Sequence, residues 1–78
     1  MARDYYAEAA AIAEDAARVG LGDLGDQLRQ AIDEGFTSTE ILMRVRSVLV
    51  DSRTSLAEYP ELQSRSQALI GGIAEALG

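Results

Sequence analysis

The stretch Gly35-Phe36-Thr37-Ser38-Thr39-Glu40-Ile41 constrains this chain more than any other, because it marks where one helix ends and another begins. Glycine is the residue that most readily takes a left-handed backbone, so Gly35 is expected as the C′ residue of the preceding helix. Thr37 is then the N-cap of the next one, and Glu40 stands where it can return a hydrogen bond to the Thr37 backbone N–H, completing a capping box. Phe36 and Ile41 occupy N′ and N4, which predicts a hydrophobic staple closing over the turn. These local signals together specify a helix–turn–helix corner.

The apolar spacing on either side extends that corner into a bundle. Asp4 can cap a first helix with an inward stripe of Tyr5, Ala9, Ile12, Ala16 and Val19, stopped by Gly20. Mostly alanine, this stripe permits close approach while gaining little per residue from burial. Gly20-Leu21-Gly22-Asp23 is a turn, with Asp23 expected to cap helix two. There Leu24, Leu28, Ala31 and Ile32 share one face, and Asp26, Arg29, Gln30 and Asp33 the other.

Helix three turns Ile41, Leu42, Val45, Val48 and Leu49 inward. Met43 and Val50, seven residues apart, fall on its far side between Arg46 and Arg53, so this helix is either central and buried on two sides or carries a contact surface. The polar run Ser52-Arg53-Thr54-Ser55 loosens its end, and Pro60 forces Tyr59 out of the α region before serving as N1 of a last helix. That helix places Leu62, Leu69, Ile70, Ile73 and Leu77 inward, with Gly71 and Gly72 on its outer side. The spacing predicts an all-α, single-domain four-helix bundle with helices over about 4–19, 24–34, 38–54 and 60–77.

Composition narrows the function. With neither Cys, His nor Lys among the 78 residues, disulfides, thiolate metal sites and the usual general base are absent, and Ser52 and Ser55 have nothing to activate them. Every acid falls on a solvent face or a cap, where carboxylate pKa values are seldom shifted enough for catalysis, so the chain is not expected to be an enzyme and no cofactor is expected. Asp23 and Asp26 lack the alternating ligands and central glycine of a calcium loop. Neither a membrane span nor a signal peptide is visible, and the cytoplasm is the expected compartment.

The net charge of −6 lies entirely in residues 1–40, which hold nine acids against three arginines; residues 41–78 hold four of each. Such a field repels nucleic acid and membranes and favours a basic partner. Ala31, Gly35 and Ile41 have the spacing of a DNA-binding helix-turn-helix, but Arg44 falls where that motif buries an aliphatic residue, and the charge has the wrong sign for phosphate. Length, acidity and helicity are also similar to those of acyl carrier proteins. Asp51-Ser52-Arg53 nevertheless lies at the end of a helix and lacks the leucine of the Asp-Ser-Leu carrier motif.

In Ile32-Asp33-Glu34-Gly35 and Glu40-Ile41-Leu42, an amphipathic helix ends at a glycine and a second opens with Glu before spaced aliphatic residues. The segment 28–49 thereby resembles the short all-helical immunity proteins that bacteria make against their own polymorphic toxins, from which Phe36-Thr37-Ser38-Thr39 departs as an insert. This resemblance implies a protein that binds and blocks one toxin. The expected working surface is the acidic face of helix two, Asp26, Gln30, Asp33 and Glu34, set against a basic protein's cleft, with Tyr59 or Tyr6 as an aromatic anchor. The alternative is a structural or regulatory homo-oligomer joined through Met43, Arg46, Val50 and Arg53 of helix three.

Overall fold

In the computed structural model, which describes residues 3–78, the elements are α1 (Tyr5–Arg18), α2 (Gly22–Glu34), α3 (Ser38–Asp51), the single turn α4 (Arg53–Leu56) and α5 (Pro60–Leu77). The described residues contain no strand. The four long helices touch in the cyclic order α1, α2, α3, α5, with α4 against α3 and α5, so the architecture is all-α and roughly a four-helix bundle. Helices of 14 residues are about 21 Å long, close to the shorter dimensions of a body measuring 30 × 23 × 22 Å.

Local chemistry sets each boundary. The Asp4 carboxylate accepts from the Ala7 N–H at 3.0 Å, capping α1 as its sequence position predicts. At the other end Gly20 takes φ +89°, the Leu21 N–H donates to the Ala16 carbonyl at 2.8 Å, and the Gly20 N–H donates to that of Ala17. That pattern is a Schellman motif, which only a residue tolerant of positive φ completes without strain. It delivers the chain directly into α2, which begins at Gly22 with Leu21 at the N-cap and no side-chain cap. Asp23 is therefore not the cap expected of it. It lies inside the first turn, where its charge complements the helix dipole.

The central corner forms with different internal contacts from those predicted. Thr37 Oγ1 accepts from the Glu40 N–H at 3.1 Å, but Glu40 Oε2 accepts from the N–H of Phe36, at 3.3 Å, rather than from that of Thr37. Gly35 is extended at φ −75°, ψ 139°, so no left-handed cap is present. Its small size has another use: a Cβ there would run into Ile41 Cγ1 and crowd the Ala31 carbonyl. Phe36 is 93% exposed and does not close the staple, because the extended Gly35 carries it away from the packed turn.

The core consists of Ala9, Ile12, Ala13 and Ala16 from α1, Leu24, Leu28 and Ala31 from α2, Val45 and Leu49 from α3, Leu56 from α4, and Leu62, Leu69 and Ile73 from α5. The alanines let α1 and α2 approach until a Cβ at Gly25 would lie 2.8 Å from the Ala13 carbonyl oxygen. Val19, expected inward, is exposed just beyond the end of α1, and Leu77 is partly exposed in the final turn. Helix three ends at Asp51, three residues short of the expected 54. The Ser52 N–H reaches the carbonyls of both Val48 and Val50, and after this tightening α4 directs Leu56 into the core. Gly71 faces outward as expected, but Gly72 is buried, with the Arg3 guanidinium and the Tyr5 ring lying across it. Arg3 also grips Glu8 at 2.7 and 2.8 Å and donates to the Ala68 carbonyl at 3.2 Å, tying the start of the described chain to α5.

Candidate functional site

Packing uses one face of α2 and leaves the other in water. Leu24, Gly25, Leu28 and Ala31 are buried. Asp26, Gln30, Asp33 and Glu34 are all exposed, and the first three run along one side of the helix. Among the described residues no cation pairs with Asp26, Asp33 or Glu34, whereas four of the arginines have partners elsewhere: Arg3 with Glu8, Arg18 with Glu14 and Asp15, Arg44 with Glu40, and Arg65 with Asp15. Asp26, Asp33 and Glu34 therefore leave an exposed acidic face on α2, with Arg29 between Asp26 and Asp33 in the sequence and Arg44 of α3 lining a shallow pocket together with Gln30.

At the C-terminal end of this stripe stands Phe36. An aromatic side chain exposed to this degree, two residues from Glu34 and three from Asp33, is the most prominent apolar group on the surface. Sequence reasoning assigned it to the staple. The extended backbone at Gly35 is what separates the two outcomes, and an aromatic residue beside a glycine at N′ is compatible with either.

Tyr59 sits differently. Its ring is half-buried against the core, and its hydroxyl donates to the Val19 carbonyl at 3.1 Å, joining the start of α5 to the end of α1. It walls a groove of about 460 Å³ together with Val19, Pro60 and Leu62. At the rim Arg65 donates to Asp15 at 2.6 Å, and this bond, with Arg18 adding to it, holds the Asp15 carboxyl below the usual carboxylate range. Tyr6 is half-buried at the other end of α1.

On α3, Met43 is 58% and Val50 38% exposed, with Arg46 in solvent beside them; Arg53, expected on the same helix, is exposed but opens α4 instead, because helix three has ended at Asp51. The helix is therefore buried on its inner side only, and the alternative of a central helix covered on two sides does not hold for this chain.

No helix of the described residues is long and apolar enough to cross a membrane, and no group of three or more Asp or Glu among them is placed to hold a metal ion. Comparison with family models, with curated proteins and with solved structures gives no match.

Proposed function

We propose that this chain works by binding another protein through the α2–α3 corner, as a small cytoplasmic inhibitor of the immunity or antitoxin kind that blocks a basic cleft. The observation that carries this reading is the exposure of Phe36 just beyond an acidic helix face whose carboxylates join no ion pair among the described residues. Desolvated aromatic residues supply much of the binding energy at protein interfaces, while charges at the rim steer the encounter and set its rate. Phe36 is the anchor in this arrangement, in place of Tyr59, whose hydroxyl already has a partner within the chain. Asp26, Asp33 and Glu34, with Gln30 donating and accepting beside them, would stand in for the phosphates or acidic groups that the cleft otherwise holds. The resemblance of residues 28–49 to helical immunity proteins points the same way.

The test is a pull-down from the native organism's lysate at low and then moderate salt, repeated with Asp26→Arg/Asp33→Arg and with Phe36→Ala. One basic protein should be retained by the wild type and lost as salt rises. Against that protein, charge reversal should slow association about tenfold or more at low salt. Phe36→Ala should raise the dissociation rate and leave the association rate nearly unchanged. Kinetics unchanged in both variants would rule this surface out.

A further inference from the structure

Helix α3 is apolar on two sides, and only one of them is used. Val45 and Leu49 are buried, with Ile41, Leu42 and Val48 packed beside them. Met43 and Val50 project outward at a spacing of seven residues, which brings both to one line along the helix. Between them on that line lies exposed Ser47, small enough to let another backbone approach.

The charges flanking this line select what can cover it. Arg46 lies on one flank and Asp51 on the other; both are exposed, and neither joins an ion pair among the described residues. When two parallel helices pair in register, a residue on one flank meets the residue five positions further along on the opposite flank of its neighbour. Arg46 and Asp51 are separated by that interval. An antiparallel pairing instead sets like flanks together: it brings the two Arg46 side chains toward each other, and on the other flank it offers Asp51 only Arg44, which Glu40 already holds at 2.9 Å.

We propose that the outer face of α3 is a self-association surface whose occupant is a second copy of this chain. The two α3 helices run parallel and in register. Met43 meets Met43 of the partner subunit, Val50 meets Val50 of the partner subunit, and Arg46 pairs with Asp51 of the partner subunit on both flanks. A seam of two apolar layers is smaller than the roughly 800 Å² per partner of a standard stable interface, so the pairing is reversible, with dissociation in the micromolar range or weaker. Its seam borders the acidic face of α2, since Ser47 lines the same shallow pocket as Gln30, but the proposal is argued from Met43, Val50, Arg46 and Asp51 and not from the residues of the inhibitor reading.

Because the chain contains no cysteine, a single introduced thiol reports its neighbour without background. Under mild oxidation Met43→Cys should form a disulfide-linked dimer much faster than Gln67→Cys, an exposed control on α5. An equimolar mixture of Met43→Cys and Val50→Cys should give the two homodimers and almost no mixed product. Predominant mixed product would establish an antiparallel contact, and linkage no faster than the control would establish random collision; either overturns the proposal. Sedimentation across a concentration series gives the second arm. Arg46→Glu should weaken self-association about tenfold or more, and adding Asp51→Arg should restore it. A wild type that stays monomeric throughout the series, or a double variant no better than the single one, also overturns it.

Discussion

Replacing Gly25 and Gly71 separately with alanine tests how closely α1 and α2 approach, because the same change should have opposite effects at the two positions. Both glycines lie inside helices, where alanine is favoured by about 1 kcal/mol through helix propensity and reduced freedom of the unfolded chain. At Gly71 nothing lies within 4 Å of the added Cβ, so most of that gain should appear. At Gly25 the added carbon would stand 2.8 Å from the Ala13 carbonyl oxygen, which belongs to a helix backbone and cannot rotate away. An ordinary contact needs about 3.5 Å, so α1 and α2 must separate by about 0.7 Å along a face where Ala9, Ala13, Ala16 and Leu28 are fully buried. Overpacking of this kind costs roughly 1–3 kcal/mol, and less the propensity gain of about 1 kcal/mol Gly25→Ala should lose up to about 2 kcal/mol of stability and gain none. Urea unfolding followed by far-ultraviolet circular dichroism resolves both signs, and in a domain of this size 1 kcal/mol moves the melting temperature by about 4–8 °C. If Gly25→Ala raised stability as much as Gly71→Ala, the close approach of the two backbones would be refuted as the reason for glycine at position 25.

Two further perturbations examine the junction between α1 and α5. Tyr59→Phe removes the hydroxyl that donates to the Val19 carbonyl and should lower unfolding stability by about 0.5–1.5 kcal/mol with an unchanged urea m-value; an unaltered midpoint would mean that water replaces the bond at no loss. The Asp15 carboxyl is held below its ordinary range by Arg65, with Arg18 contributing, so its folded pKa lies under its unfolded value. Its stabilising effect is therefore present in full above an unfolded pKa near 3.9 and is lost as pH falls through the lower, folded value. The difference in urea midpoint between wild type and Asp15→Asn should be constant from about pH 7 to 5 and shrink below about pH 4. A difference that persisted unchanged in strong acid would assign it to shape or hydrogen bonding rather than to charge.

The helices were legible in the sequence because their signals are local. Asp4, Thr37 and Pro60 mark starts through side-chain chemistry that acts within three or four residues, and Gly20 marks a stop through its own backbone. What escaped depended on a partner distant in the chain. Gly35 and Gly20 look alike as sequence signals, yet Gly35 is needed for its proximity to Ile41 and not for a positive φ. Gly72 appears idle until Arg3 and Tyr5 are seen to lie over it. Val19 fits the periodicity of α1 but falls where the helix has already ended. Of the acidic surface, the spacing of apolar residues in α2 turns Asp26, Gln30 and Asp33 outward, Glu34 enters only as part of the expected working surface, and all four are exposed. The position of Phe36 could not follow from residue type, since the backbone at Gly35 decides it.

The distribution of large and small apolar residues gives the two outward surfaces their meaning. Where α1 meets its neighbours the interior takes Ala9, Ala13, Ala16, Gly25, Ser66 and Gly72, residues that contribute little transfer free energy but allow the backbones to come close. Phe36, Met43 and Val50 meanwhile remain accessible. They are not outside for want of an apolar core to join, and enlarging buried side chains where Gly25 already lies against the Ala13 backbone would be destabilising. In a domain this small, apolar side chains left in water add nothing to folding and raise the risk of nonspecific association. Their placement at the end of an acidic stripe on one side and between Arg46 and Asp51 on the other gives each surface a charge pattern that restricts what can cover it.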